Sequence, residues 1–185
     1  MPMRYELKEY WDVKNKLLGV DIEEHKVFLM LTYGAMARVG EIVRGKYTYN
    51  PPVSSMHITP IIANKGKRLL VITILTEKTR LTRRVPLNRD KEDWLTEPIL
   101  NYSLKKKGLL FNRSTRWGEK IFEKYFGNQN IHQLRGWRAT HYKQGKVTGE
   151  PMEWGVICKM GGWINPLTPA RYYDGTVIED YVDLL

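Results

Sequence analysis

The sequence predicts a mainly α-helical domain that contains one small antiparallel β-sheet, an α+β fold. Three stretches between residues 57 and 87 are rich in β-branched residues and are separated by turn-forming segments, which is typical of paired strands. The segments on either side carry apolar residues at helical spacing. One domain accounts for the 185 residues, and a chain of this length can bury a core of its own.

Two helices are predicted before the sheet. Apolar residues recur at helical spacing over 5–18, and the stretch 22–36 is apolar enough for a buried helix. Asp21 directly precedes this second stretch, where its carboxylate can accept a hydrogen bond from a free backbone N–H, so Asp21 is the predicted N-cap. Gly34 and Gly40 bound the break in which the helix ends.

Three strands are predicted at 57–64, 67–75 and 81–87, because Val, Ile, Leu and Thr are frequent in these runs. Residues that favour turns separate the runs at 64–66 and 78–80. Consecutive strands joined by short turns pair antiparallel, and the sheet is therefore predicted to be antiparallel.

The pattern returns to helices after residue 90. At the end of the chain, the stretch 176–185 places Ile178, Tyr181, Val182 and Leu185 on one helical face. A helix this short is not stable alone and needs a surface to pack on. The other predicted helices span 91–105, 115–125, 133–144, 151–160 and a short segment near 168–173.

The charge distribution indicates a polyanionic partner. The formal net charge is +10, and the basic residues are concentrated in two stretches. Residues 65–91 hold nine Lys or Arg against two Asp or Glu, and residues 101–146 hold eleven against two. Two such stretches on one face would form a surface that follows phosphates. A generally lysine-rich surface, of the kind common in thermophile proteins, is the alternative.

Composition excludes several classes of protein. The lone Cys158 rules out a disulfide framework and a Cys-rich zinc site, and we expect it to be a small buried apolar residue. The charged first residues do not form the apolar centre of a secretion signal, and no run approaches the ~20 apolar residues of a membrane span. We therefore expect a cytoplasmic protein that has no membrane partner.

The strongest chemical signal is His132 followed by Arg135 and then by Ala139-Thr140-His141. Residues three apart lie on one face of a helix, so the imidazole and the guanidinium are neighbours. A guanidinium can hold two phosphate oxygens at once, and an imidazole can move a proton near neutral pH. A histidine three residues before an arginine is common, however, so the pair is informative only together with other motifs in the chain.

The motifs around this pair resemble those of a known family. The string H-Q-L-R followed by A-T-H resembles the second conserved box of the tyrosine recombinases, the phage integrase family. Upstream, Arg38 is followed three residues later by Glu41, after an apolar helix that ends in a Gly-containing turn. That arrangement resembles the first box of the same family.

Two further segments resemble the family. Trp163 follows a glycine and precedes Tyr172 by nine residues, with Thr168 between them, which resembles the last box. Lys78 lies in the predicted turn between the last two strands, where the family has a hairpin lysine. The boxes follow one another in the family's order over about residues 22–175, which makes the combination far more specific than any single motif.

The resemblance implies the fold of a tyrosine recombinase catalytic domain. It implies a site-specific recombinase or integrase that cleaves and rejoins DNA through a covalent 3′-phosphotyrosyl intermediate, with no metal or cofactor. The implied partners are double-stranded DNA and further copies of the chain in a tetrameric synapse, in the DNA recombination of a mobile element. We expect one catalytic domain over 1–185, with 1–20 as an N-terminal helix or arm, 176–185 as a helical tail, and no N-terminal core-binding domain.

The resemblance also implies a role for each matching residue. Arg38 and Arg135 would hold the scissile phosphate, and Tyr172 would attack it. With no metal present, the negative charge of a phosphorane-like transition state must be met by such side chains. A phenol has a pKa of about 10, so the tyrosine needs a base or a positive field to attack near neutral pH.

The remaining implied roles concern protons. His132 would handle the proton near the tyrosine, and Lys78 would protonate the leaving 5′-oxygen. Trp163 would take the place of the family's more common histidine and donate a hydrogen bond through its indole N–H, although an indole cannot shuttle protons.

Two assignments have alternatives. Tyr173 is adjacent to Tyr172 and points about 100° away on a helix, and the spacing from Trp163 favours Tyr172. Lys65 and Lys67 lie in the preceding turn and are alternatives to Lys78.

Other functions also fit part of the pattern. A type IB topoisomerase shares the chemistry without strand exchange, and a non-catalytic DNA-binding module is the alternative from a different class. A metal-dependent nuclease is disfavoured because no carboxylate cluster for two ions is recognisable. His25, His57 and His141 have no metal-ligand spacing, and we expect His141 to pack in the helix that begins near His132.

The apolar stripe of the tail generates a first prediction. The stripe must pack on its own domain or on a neighbour, and the family resemblance implies a neighbouring copy on DNA. Deleting 176–185 should therefore weaken assembly of the protein on DNA and leave the folding of the monomer nearly intact. Sedimentation of the protein–DNA complex and thermal unfolding of the free protein measure the two effects. Loss of folding in the truncated chain would show instead that the tail packs on its own domain.

Overall fold

The structure is a computed structural model and describes residues 8–44, 52–76 and 82–165. Seven α-helices and a three-stranded sheet lie within these ranges, which confirms the predicted α+β fold. The elements in chain order are α1 Tyr10–Leu18, α2 Glu23–Gly34, α3 Val39–Ile42, β1 Ile58–Ile62, β2 Arg68–Leu75, β3 Thr82–Asn88, α4 Asp93–Lys105, α5 Thr115–Phe126, α6 His132–Lys143 and α7 Trp154–Gly161.

Strand β2 is the centre of the sheet and pairs antiparallel with β1 and β3. Ile72 lies opposite both Ile58 of β1 and Val85 of β3, which fixes the register on either side. The turn between β1 and β2 uses Lys65 and Gly66, both with a positive φ. The predicted antiparallel sheet is therefore confirmed.

Strand β3 alternates between the core and the solvent. Val85 and Leu87 are buried, and the residues between them are exposed. The same alternation turns Arg83 inward, so a charged side chain occupies a core-facing position at the start of the strand.

Helix α2 forms the middle of the core. Its residues from Val27 to Gly34 are all buried, and it packs against α1, α4, α5 and α6. At Gly34 a Cβ atom would stand 3.1 Å from Leu95 and 3.2 Å from Leu87, so the absence of a side chain allows α4 and β3 to approach. The turn that follows α2 therefore begins from a fixed point.

The prediction that Asp21 caps α2 is wrong. The helix begins at Glu23, its N-cap position is Ile22, and no side chain there accepts a capping hydrogen bond. The Asp21 carboxylate instead accepts a 2.6 Å hydrogen bond from the hydroxyl of Tyr125 in α5. A long-range partner has replaced the local one that the sequence suggested.

A buried ion pair anchors α6. Arg138 has no exposed surface and donates to both carboxylate oxygens of Glu92, at 2.6 and 2.7 Å. It also donates to the hydroxyl of Tyr142 at 2.8 Å, and the hydroxyl of Tyr10 lies 3.4 Å from Glu92. Because Glu92 directly precedes α4 and Tyr10 belongs to α1, the cluster joins three helices one turn beyond Arg135.

Two smaller expectations are confirmed. His141 is buried within α6, and its ring lies 2.7 Å from the carbonyl of Lys8 and 2.7 Å from the hydroxyl of Tyr33. A carbonyl can only accept, so Nε2 carries the hydrogen and Nδ1 accepts from the tyrosine. Cys158 is also buried in α7.

The ion pair of α6 generates a stability prediction. Changing Glu92→Gln leaves the Arg138 cation buried without its counter-charge, and we expect a loss of about 3–5 kcal/mol in the free energy of unfolding. Chemical denaturation measures the loss. The matched control is Asp90→Asn, which breaks the exposed pair between Arg68 and Asp90 and should cost far less. Equal losses in the two variants would contradict the assignment.

Candidate active site

Arg38 occupies the N-cap position of α3, directly after the turn that follows α2. Its backbone N–H donates to Oε2 of Glu41 at 2.9 Å, and its Nη1 donates to Oε1 at 3.2 Å. A glutamate three residues into a helix commonly reaches back to the N-cap N–H in this way. About a quarter of the Arg38 side chain (23%) remains exposed, so one carboxylate holds the arginine and leaves part of it open to a ligand.

The carboxylate of Glu41 is buried yet charged. Burial alone would raise its pKa, but the cation of Arg83, the backbone N–H of Arg38 and the charges of Arg135 and Arg38 together hold the pKa of Glu41 below its usual value. The group is therefore a carboxylate at neutral pH, and it partly offsets the arginines around it.

Arg135 lies in the first turn of α6 and is almost fully buried. Its Nη1 donates to the carbonyl of Met36 at 2.8 Å, in the turn that leads to Arg38. Its guanidinium carbon lies 4.0 Å from the ring centroid of Trp163, which follows α7, so the guanidinium packs against the aromatic face. Arg135 thus connects the segments that carry Arg38 and Trp163.

Met36 has a φ of 47°, in the left-handed region that residues other than glycine seldom adopt. This conformation ends α2 sharply, and the Met36 carbonyl meets Arg135 there. The sequence predicted a break in this segment, but it gave no sign that a buried methionine rather than a glycine would take the strained position.

His132 begins α6, one turn before Arg135, and is partly buried. Burial lowers the pKa of its imidazole first, and the positive charges of Arg135 and Arg38 lower it further, with a smaller opposing effect from Glu119 and Glu41. The imidazole is therefore neutral near pH 7 and can accept a proton. The effect of both arginines on this ring places His132 in their common electrostatic field.

The site is positively charged and offers the donors that a phosphate needs. Arg38 and Arg135 come from distant segments of the chain, and both guanidinium groups lie beside the turn that follows α2. The neutral imidazole of His132 and the indole of Trp163 lie next to them. Charge-assisted bonds from such groups are the strongest hydrogen bonds available to phosphate oxygens.

Of the six predicted site residues, the structure brings together Arg38, His132, Arg135 and Trp163. Lys78, Tyr172 and the alternative Tyr173 lie outside the described residues, and their roles stay predictions. Lys65 lies in the β1–β2 turn and Lys67 directly follows it, at the end of the sheet away from the start of β3.

Sequence reasoning missed one residue of the site, Arg83. Its guanidinium is buried and donates to Glu41 at 3.0 Å, the same carboxylate that holds Arg38. A signal was present, because Arg83 shares the inward face of an alternating strand with Val85 and Leu87. A charged residue among apolar positions of one strand face indicates a buried partner.

Within residues 8–44, 52–76 and 82–165 there is neither a cluster of metal ligands nor a helix suited to a membrane. The histidine, cysteine, aspartate and glutamate residues there form no group of three or more that could hold a metal ion. None of the helices in these ranges combines the length and the apolar character needed to cross a membrane.

The shared field at His132 generates a prediction. Changing Arg38→Gln removes one of the cations that act on the imidazole, so the pKa of His132 should rise toward its ordinary value. A titration followed by NMR of the histidine ring measures the change. The matched control is Arg113→Gln, which acts on His25 and should leave the pKa of His132 where it is. An unchanged His132 pKa in Arg38→Gln would contradict the shared field.

Comparison with known proteins gives a match in structure alone. No protein-family model matches the chain, and no curated protein matches it. The crystal structure of XerA recombinase matches with a TM-score of 0.63 at 15% identity, over 100% of this chain and 66% of that one. The catalytic domain of bacteriophage HP1 integrase matches with a TM-score of 0.60 at 17% identity, over 97% of this chain and 95% of that domain.

A third match is XerH site-specific recombinase bound to its difH substrate in a pre-cleavage complex. The TM-score is 0.62 at 13% identity, over 98% of this chain. The chain spans about half of the XerH chain, 52%, but almost the whole HP1 catalytic domain. The fold expected from the sequence motifs is therefore confirmed: this chain has the fold of the tyrosine recombinase catalytic domain.

Proposed function

We propose that this chain is a tyrosine recombinase catalytic domain, which cleaves and rejoins DNA strands through a covalent 3′-phosphotyrosyl intermediate without a metal ion. The observation that carries the proposal is the convergence of Arg38 and Arg135 beside a neutral His132. Residues almost a hundred positions apart in the chain form one cationic site, in a fold whose solved examples include site-specific recombinases and an integrase.

The proposed chemistry uses the two guanidinium groups as the electrostatic catalyst. Arg38 and Arg135 would bind the non-bridging oxygens of the scissile phosphate and stabilise the charge that they gain in the transition state. Trp163 packs against Arg135 and would keep its guanidinium plane in place, and its indole N–H would add a donor.

The covalent step exchanges one phosphate ester for another. The phenol oxygen of Tyr172 would attack phosphorus, and the bond between phosphorus and the 5′-oxygen would break. His132, which is neutral, would take the phenolic proton, and Lys78 would give a proton to the leaving 5′-oxygen. Rejoining is the reverse reaction, with a 5′-hydroxyl as the nucleophile. No bond energy is lost, so no cofactor is needed.

Double-stranded DNA is the proposed partner. The basic stretches 65–91 and 101–146 supply the charge for a phosphate-following surface. The Tn1549 transposon integrase, whose structure is similar, was solved in complex with circular intermediate DNA. Assembly of several copies on DNA, up to a tetrameric synapse, belongs to the same proposal.

Lys78 is preferred over Lys65 and Lys67 because it precedes β3, and Arg83 near the start of β3 contacts the turn that leads to Arg38.

The test is a search for a covalent protein–DNA adduct. The full chain is incubated with supercoiled plasmid DNA in EDTA, denatured, and analysed for protein attached to DNA. Wild type should give an adduct, Tyr172→Phe should give none because the nucleophilic oxygen is missing, and Tyr173→Phe should behave like wild type as the matched control.

Other results would revise the proposal in specific ways. An adduct lost only in Tyr173→Phe would keep the chemistry and move the nucleophile by one residue. Salt-sensitive DNA binding with no adduct in any variant would contradict catalysis by this chain and favour a DNA-binding module. An adduct that forms only with a divalent metal would contradict the metal-free mechanism.

A further inference from the structure

The guanidinium of Arg83 joins segments that belong to different parts of the site. Its Nη1 donates to the carbonyl of Ala35 at 2.8 Å and to that of Met160 at 2.5 Å. Its Nη2 donates to Oε2 of Glu41 at 3.0 Å and to the carbonyl of Met36 at 3.3 Å. Nη1 and Nη2 thus each donate to two protein acceptors, which leaves neither nitrogen free to bind a DNA phosphate.

Two of these acceptors are shared with the proposed phosphate-binding arginines. Glu41 accepts from Arg83 and from Arg38, and the carbonyl of Met36 accepts from Arg83 and from Arg135. A displacement of the Arg83 guanidinium therefore displaces the acceptors that hold the other two. Arg83 reaches each of them through one intervening group.

The remaining contacts of Arg83 lead to Trp163. The Met160 carbonyl lies in the last turn of α7, where a cation is favoured by the helix dipole. Gly162 has a φ of +71°, and a Cβ atom there would lie 2.8 Å from Cδ of Arg83. At Gly161 a Cβ atom would overlap the indole of Trp163, at 1.8 Å. The backbone of Gly161 and Gly162, which directly precedes Trp163, is thus packed between the Trp163 indole and the Arg83 side chain.

We propose that Arg83 is a positioning residue for DNA cleavage, which sets the distance between the Arg38 turn and the α7–Trp163 segment so that Arg38 and Arg135 converge on one phosphate. The proposal rests on the proposed function and adds a residue to it. Arg83 also begins the strand that follows Lys78 in the chain, so the same anchor stands next to the segment of the proposed general acid.

A merely stabilising role is a poorer account of these contacts. Replacing a buried ion pair by apolar groups is often neutral for stability, so stability alone does not call for an arginine here. A planar guanidinium can meet four acceptors at fixed angles, whereas a lysine ammonium is a point charge with three donors on a flexible stem. The contacts therefore favour a geometric role.

The test compares Arg83→Lys with wild type in the full chain. The substitution keeps the positive charge and removes the planar fork. We expect the rate of adduct formation on supercoiled plasmid to fall by about 10²-fold, as for other small misplacements in active sites. DNA affinity should stay within a factor of about 3, because the charge is preserved and buried. The matched control is Arg89→Lys. Arg89 follows the other end of β3 and pairs with Glu97, and this variant should cleave like wild type.

A second measurement does not depend on catalysis. NMR titration of His132 in the DNA-free protein reports the positions of Arg38 and Arg135, and Arg83→Lys should raise the pKa of His132 as those charges move away. An unchanged His132 pKa, with or without a slower reaction, would overturn the positioning role. If Arg83→Lys does not fold, Gly162→Ala pushes on the same side chain and should give the same two changes.

The two proposals fail in different ways. Absence of an adduct in wild type would contradict the proposed function, and the His132 titration would then decide on Arg83 alone. A normal wild-type adduct with equal rates in Arg83→Lys and Arg89→Lys would keep the function and overturn the role of Arg83.

Discussion

Like charges that are brought together in a partly buried site repel one another, and the site of this protein depends on how that repulsion is offset. Arg38, Arg83 and Arg135 come from three separate elements and meet around one turn. The buried carboxylate of Glu41 accepts from two of them, and the carbonyl of Met36 accepts from two. One negative charge does not neutralise three positive ones. The site therefore keeps an excess of positive charge, which a phosphate is suited to complete.

Burial, and then the same excess of positive charge, keep the imidazole of His132 neutral. Cations that attract a phosphate also disfavour a protonated imidazole, so the residue expected to accept a proton is held in the form that can do so. In the proposed reaction, one electrostatic field would therefore both attract the phosphate and favour the neutral form of the imidazole. Glu41 limits that field without abolishing it, because its carboxylate is already engaged by the arginines.

Most of the fold and much of the site could be predicted from the sequence, since the signals were local. Hydrophobic periodicity located the helices and strands, and the motif spacing selected Arg38, His132 and Arg135, which lie together in the structure. The failures concern long-range contacts. Asp21 does not cap α2 as predicted, and its carboxylate accepts a hydrogen bond from Tyr125, a partner 104 residues away. Arg83 was not predicted as a site residue because its role depends on acceptors from three other segments. The spacing of residues along the chain does not show which segments will supply those acceptors.

Several acceptors in the site are peptide carbonyls, at Ala35, Met36 and Met160. Every amino acid supplies such a carbonyl, so these acceptors depend on the path of the backbone and not on a side-chain functional group. Packing restricts the residue type at these positions, because the side chains of Ala35, Met36 and Met160 are buried in the core. A site built in this way can preserve its shape while its sequence diverges. Searches for proteins with the same site should therefore give weight to the arginines that donate, and at the accepting positions to apolar character rather than to one residue type.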